Sequence, residues 1–153
     1  MFIRNVRNEI TDCKLIYSIS NDPVVRKNSF NQKSIEYENH CKWFSKILAD
    51  KNTLFFIVFF DETENEFVGQ IRFSRKSEES LDCVISLSIT EAFRGKHIAS
   101  KFIELGIEKL KKNWLGIKSI IAEVKDENIA SNKLFLKEGF QLISKVNTYS
   151  FNI

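Results

Sequence analysis

The sequence predicts an α/β (α+β) chain in which one mixed sheet of seven strands carries helices on both faces. Three observations predict it. First, residues 85–100, ISLSITEAFRGKHIAS, change period midway. Ile85, Leu87 and Ile89 alternate with Ser86 and Ser88 as a strand does; after a polar break at Thr90–Glu91, Ile98, Phe102, Leu105, Ile107 and Leu110 fall mostly on one helical stripe. Second, the periods run in the order strand, helix, helix, three strands, helix, strand, helix, two strands. Third, 14 Phe against one Pro and five Gly describes a sheet-rich core with few sharp turns.

Taken in order, Phe2 to Val6 is a short strand. Thr11 is placed to cap a helix to about Ser20, with Cys13, Ile16, Tyr17 and Ile19 inward. Asn21-Asp22-Pro23 ends it, because proline biases the preceding residue away from helical geometry. Val24 to Gln32 reads as an irregular loop or a short helical turn. Ser34 is placed to cap a helix over Ile35 to Ala49. The apolar run Thr53 to Phe60 is a strand, and Asp61 to Asn65 is a hairpin turn. Phe67 to Ser74 and Leu81 to Ile89 are the next strands. A helix from about Lys96 to Trp114 follows, then a strand from Ser119 to Lys125. Asn128 caps a helix to about Lys137, which Gly139 ends. Phe140 to Lys145 and Thr148 to Asn152 are the last strands.

At 153 residues the chain suits one domain, residues 1–153, large enough to bury a core. Hydrophobic residues make up 43% and charged residues 28%, which is globular composition. The net charge of +3 is spread over interleaved acids and bases, so no nucleic-acid face is expected. No apolar run is long enough to span a membrane, and MFIRNVRNEI lacks a signal peptide's apolar core. Cys13, Cys41 and Cys83 are odd in number and widely spaced, which indicates neither a disulfide framework nor a metal site. A cytoplasmic location is expected.

The strand–loop–helix at residues 85–100 gathers backbone N–H groups at the positive end of a helix dipole, a geometry that suits a phosphate. Gly95 allows close approach, Ala99 keeps the first turn slim, and Arg94 and Lys96 add charge. These residues alone leave the ligand open.

Arg94-x-x-His97-x-Ala99, after Leu87-x-Ile89, resembles the acetyl-CoA-binding motif of the GNAT superfamily of N-acetyltransferases, usually written Q/R-x-x-G-x-G/A. Asn128-x-x-Ser131-x-x-Leu134-Phe135-x-x-x-Gly139-Phe140 resembles that family's next motif. With the flanking strands, the resemblance covers nearly the whole chain. It implies a mostly antiparallel seven-stranded sheet whose fourth and fifth strands splay in a V around the pantetheine. It implies acetyl-CoA as co-substrate and no metal. The pantetheine is then expected beside Leu87, Ser88 and Ile89, and the pyrophosphate on the amides of Arg94, Gly95, Lys96, His97, Ile98, Ala99 and Ser100. A backbone N–H near Ile89 is expected to polarise the acetyl carbonyl. Asn128, Ser131 and Phe135 complete the expected cofactor site.

Two positions depart from the family's pattern. His97 stands where Gly is usual and is expected to point to solvent. Phe135 stands where many members place a Tyr that protonates the leaving thiolate, so the chain either lacks a protein acid or uses another group, such as Ser131 or a water near Asn128. Glu123, between Ala122 and Val124, is the candidate base. Its alternative is a strand-face carboxylate paired with a Lys. Ser88 and Ser86 are candidates to hold a water, and Glu91 reads as a turn residue.

Acceptor-side residues are expected from the first helices and the third strand. His40 and Trp43, three apart, share a helix face. Gln70 and Arg72 share a strand face. Arg26, Phe30 and Asn31 lie in the preceding loop. NDPVVRKNSF, ENHCKWF and VGQIRF together resemble the pseudaminic-acid-type nucleotide amino-sugar N-acetyltransferases of bacterial surface-glycan pathways. The resemblance implies direct acetyl transfer to the amine of a nucleotide-linked amino sugar. A protein or peptide α-amine, as in ribosomal-protein acetyltransferases, is one alternative, and a non-catalytic acyl-CoA-binding module is another. The sequence leaves a homo-oligomer open.

Overall fold

A computed structural model describes residues 1–144 and 148–153. Seven strands form one sheet: β1 (Phe2–Asn5), β2 (Thr53–Phe59), β3 (Phe67–Ser74), β4 (Asp82–Ile89), β5 (Ser119–Glu123), β6 (Gln141–Ser144) and β7 (Thr148–Asn152). Their spatial order is β1-β2-β3-β4-β5-β7-β6. All neighbours pair antiparallel except β4 and β5, which are parallel. The mixed, mostly antiparallel sheet expected from the sequence is therefore the observed one.

The helices are α1 (Ile10–Ser20), α2 (Pro23–Asn28), α3 (Tyr37–Leu48), α4 (Ala99–Asn113) and α5 (Ile129–Lys137). Strand alternation sends side chains to two cores. Phe56, Val58, Ile71, Phe73, Cys83, Ile85 and Ile120 join Phe102, Ile103 and Leu110 of α4 and Phe135 of α5. Phe55, Ile57 and Phe59 join Cys13 and Ile16 of α1 and Phe44 of α3. That explains the unbroken apolar run of β2: both of its faces are covered. Each such fully buried side chain contributes about 1.5–3 kcal/mol relative to exposure.

Several boundaries differ from the sequence reading. Helix α1 begins one residue before Thr11, with Glu9 at its N-cap and no side-chain cap bond. Helix α3 begins at Tyr37 with Glu36 at the cap, so Ser34 is not its cap. Of the segment expected as an irregular loop or a short helical turn, residues up to Asn28 form the short helix α2, which begins at Pro23. Asp22 accepts hydrogen bonds from the N–H groups of Val24 (2.9 Å) and Val25 (3.1 Å), and Pro23 takes the first helical position. The proline that stops one helix thus starts the next. Helix α4 begins at Ala99, not Lys96, because Gly95 (φ +71°) and His97 (φ +58°) are left-handed. Strands β2, β4 and β5 are one to two residues shorter than expected. The penultimate strand begins at Gln141, and the expected end at Lys145 lies outside the described residues.

Candidate active site

The β4–β5 ladder pairs Asp82–Ile85 with Ser119–Ala122 and stops there. Strand β4 continues to Ile89, so its edge from Ser86 onward has no partner strand on the β5 side among the described residues. This is the expected split, and Leu87, Ser88 and Ile89 line its β4 side. On the other edge, Ser88 pairs with Gln70 and Ser86 with Arg72.

Beyond β4 a 3-10 turn, Glu91–Phe93, leads into the basic loop. Gly95, Lys96 and His97 are exposed. A Cβ placed on Gly95 would meet nothing within 4 Å, so its φ of +71°, rather than crowding, calls for glycine. His97 is also left-handed (φ +58°) and is exposed, as expected. Ile98 occupies the N-cap of α4 without a side-chain cap bond, so the first-turn N–H groups around Ala99 and Ser100 stay open. Lys96 Nζ lies 5.1 Å from the centre of the Phe93 ring. Open amides, a dipole end and one uncommitted cation give this loop the chemistry of an anion site.

Arg94 differs from the expectation that its charge serves the loop. Its Nε donates to the Ile89 carbonyl at 2.9 Å, and its Nη2 pairs with Asp22 Oδ1 at 2.8 Å. Burial opposes ionisation of Asp22, but the Arg94 guanidinium and the Val24 and Val25 amides outweigh it and hold the carboxyl below its ordinary range.

At the far side of the split, Asn128 Oδ1 accepts the Ser131 N–H at 3.2 Å and so caps α5. Phe135 is buried, with ring centroids 4.9 Å from Phe140 and 6.2 Å from Tyr149. Tyr149 Oη donates to Asn132 Oδ1 at 2.7 Å. Asn132 Nδ2 in turn donates to the Lys125 carbonyl at 3.0 Å, tying the turn after β5. Glu123 is exposed. It follows the last ladder pair, Ile85–Ala122, and alternation puts it on the sheet face of Ser86 and Ser88. Among the described residues, no cation is within ion-pair distance of it.

On that same face lies a cavity of about 480 Å³. It brings together Arg26, His40, Trp43, Gln70 and Arg72 of the expected acceptor side, though not Phe30 or Asn31, with Ser86 and Ser88. Arg72 projects from β3 between Trp43 and Phe55, its guanidinium carbon 5.6 and 5.9 Å from their ring centres. Arg72 Nε is buried without a hydrogen-bond partner, as is Gln70 Oε1. Burial lowers the Arg72 pKa from its ordinary value, and arginine stays charged regardless. Among the described residues no carboxylate lines the cavity.

Two residues of this cavity are also tied to the protein around them. His40 is 1% exposed. Its Nε2 lies 3.0 Å from the Cys13 carbonyl, which can only accept, so Nε2 carries the hydrogen and Nδ1 is the free acceptor. Burial lowers the imidazole pKa, with the Cys13 bond opposing. His40 thus shapes the cavity as a neutral ring. Arg26 donates to the Asn31 and Lys33 carbonyls and to Ser29, so it folds the segment after α2. Phe30 lies apart, lining a second cavity with Lys27, Lys125 and Glu127.

Ser20, Val25, Ser29, Ile35, Asn39 and Phe55 also line this cavity and escaped the sequence reading. Asn39 was findable, four residues before Trp43 on the same helix face. Ser20 and Phe55 offered no local signal.

Residues 1–141 match the family described as acetyltransferase (GNAT) domain. A relative from Methanocaldococcus jannaschii, uncharacterized protein MJ1062, is 28% identical over 137 residues, covering 88% of this chain. The chain spans only 27% of that relative's length. A solved domain from the same organism superimposes with a TM-score of 0.81 at 25% identity, covering 99% of this chain and 97% of that one. Spermidine N-acetyltransferase from Vibrio cholerae, solved with CoA and spermine, gives 0.84 at 16% identity over 99% of this chain and 94% of that one. An N-acetyltransferase from Staphylococcus aureus Mu50 gives 0.77 at 21% over 99% and 97%. The family match and the split mixed sheet agree: the chain belongs to the GNAT family of acetyltransferases.

Proposed function

We propose that the protein transfers acetyl from acetyl-CoA directly to the amine of a nucleotide-linked amino sugar. The observation that carries the acceptor class is Arg72. It is a half-buried guanidinium, its Nε buried and without a partner, held between two aromatic rings in a cavity that no described carboxylate lines. A partly desolvated cation without a counter-charge favours an anionic ligand, and a guanidinium fork suits a phosphate. Trp43 and Phe55 supply flat apolar faces for a ring. The Vibrio cholerae spermidine enzyme shares the fold, yet a polyamine would set its own positive charges against Arg72 and Arg26. A peptide α-amine fits an open groove better than this recess.

In this reading the Gly95–Ser100 amides hold the pyrophosphate, and the free β4 edge from Leu87 to Ile89 holds the pantetheine. The amine enters from the Arg72 cavity. Its nitrogen attacks the thioester carbonyl, the carbon–sulfur bond breaks, and the thiolate leaves. Glu123 takes the amine proton, directly or through a water held by Ser88. A backbone N–H near Ile89 stabilises the developing oxyanion; losing such a donor typically costs about a hundred- to a thousand-fold in rate. Phe135 has no proton to give. A thiol of pKa about 8.5 leaves acceptably as thiolate.

Uridine diphosphate tests the acceptor assignment. It is expected to compete with the acceptor and not with acetyl-CoA. Competition with acetyl-CoA alone, or no inhibition at millimolar concentration, would remove the nucleotide from the reading.

A further inference from the structure

We propose that Arg94 is a positioning residue for the acceptor pocket rather than a ligand of the cofactor's phosphates. The inference rests on the two-site reading above, and it concerns how the sites are joined. Arg94 stands at the root of the left-handed turn that leads into α4. Its side chain runs away from that turn. Nε closes on the Ile89 carbonyl at the end of β4 (2.9 Å), and Nη2 closes on Asp22 (2.8 Å). The two side chains are 27% and 18% exposed, so the pair is largely shielded from solvent screening. Its charge is already matched there, which weakens any pull on a phosphate.

Asp22 is the N-cap of α2, a six-residue helix with no buried residue. A helix so short is not stable by itself. Its place depends on polar ties: the Asp22 cap, the Arg94 pair, the Arg26 bonds to residues 29–33, and Lys125 Nζ donating to the Lys27 carbonyl at 3.1 Å. Val25 and Arg26 of this helix, with Ser29 after it, form one wall of the acceptor cavity. One guanidinium therefore joins the end of β4, the root of the anion loop and the acceptor wall. Ordering the loop around acetyl-CoA then orders α2, and by linkage an occupied acceptor cavity favours the loop equally.

The test uses Arg94→Gln and Asp22→Asn; asparagine keeps the helix cap while removing the charge. Acetyl-CoA affinity is read by calorimetry, uridine diphosphate affinity by competition, and hydrogen exchange at Arg26 to Ser29 against β2 amides as internal reference. Both variants are expected to weaken uridine diphosphate about five- to tenfold and to speed α2 exchange by a similar factor, as for a partly shielded ion pair. Acetyl-CoA affinity without acceptor is expected to stay within about threefold, and the double variant to be no worse than either single one. If the parent protein does not bind uridine diphosphate, the nucleotide reading fails by itself and the exchange data still decide this proposal. Arg94→Gln weakening acetyl-CoA tenfold while Asp22→Asn does nothing, or α2 exchange unchanged in both variants, would overturn it.

Discussion

The guanidinium of Arg72 stacks over Trp43, 5.6 Å from carbon to ring centre, with no carboxylate of the described chain in its cavity. A half-buried cation without a counter-charge costs stability unless a ligand supplies one. Arg72→Ala is expected to raise the acceptor KM and leave acetyl-CoA affinity nearly intact. The loss of a charge-assisted contact to phosphate is about 1.5–3 kcal/mol, or roughly ten- to over a hundred-fold in kcat/KM. Arg72→Met, which keeps the bulk and drops the charge, is expected to raise the Tm of the ligand-free protein. A lower Tm together with an unchanged acceptor KM would show that Arg72 serves structure alone.

The loop before α4 separates backbone geometry from charge. Gly95→Ala adds a methyl into open space, so its cost is the left-handed strain, about 1–2 kcal/mol. Gly95→Asp adds that strain and a negative charge beside the pyrophosphate. Calorimetry is expected to show weakened acetyl-CoA binding in the first and none in the second. His97→Gly relieves the same strain at φ +58° and is expected to keep full binding. Binding unchanged in Gly95→Asp would place the pyrophosphate elsewhere.

Phe135→Tyr restores the side chain usual in the family at this position. Phe135 is already packed on Phe140 at 4.9 Å, so a hydroxyl is added to a filled site. Turnover is expected to change little or to fall. A gain of a hundredfold or more, typical where a general acid matters, would show that thiolate protonation limits the native enzyme.

Among the groups that make the fold sensitive to acid, Asp12 and His40 are the two that are fully buried. Asp12 is 1% exposed; burial opposes its charge, but two hydrogen bonds from Arg4 (2.7 and 2.9 Å) and one from the Arg7 amide outweigh this and lower its pKa. Its stabilisation is present above the unfolded value of about 3.9 and is lost as pH falls through the folded one. His40 has a folded pKa lowered by burial, so below its unfolded value of about 6.5 the unfolded chain takes the proton first. Urea melts are therefore expected to show stability falling in two stages, below about pH 6.5 and again below about 3.9. Asp12→Asn is expected to cost roughly 3 kcal/mol at pH 7 and to shrink the lower stage, in which Asp22 and Glu64, both held below the ordinary carboxylate range by arginine partners, still titrate. A parent protein equally stable at pH 7 and pH 5 would contradict the His40 assignment.

Local periodicity made most of the fold legible. Phe67–Ser74 alternates cleanly and is observed with the expected bounds, and the same alternation put Gln70 and Arg72 on one face. The helix after the loop was read three residues early, because its start depends on left-handed backbone at His97, a residue that does not announce it. Contacts that close long loops left no local trace. The Arg94–Asp22 pair, the His40 bond to the Cys13 carbonyl and the Cys13–Cys41 sulfur contact of 3.8 Å each join segments far apart in sequence. They follow from how helices α1 to α3 pack on the sheet, which no single period encodes.

Thiol release from acetyl-CoA across a panel of nucleotide-linked amino sugars, polyamines and peptide α-amines decides whether the acceptor is an anionic, nucleotide-linked amine. Turnover is expected with at least one nucleotide amino sugar, at a kcat/KM at least about tenfold above spermidine and the peptides, with loss of that preference in Arg72→Ala. Turnover confined to spermidine or to peptides, with Arg72→Ala as fast as the parent, would contradict that acceptor class.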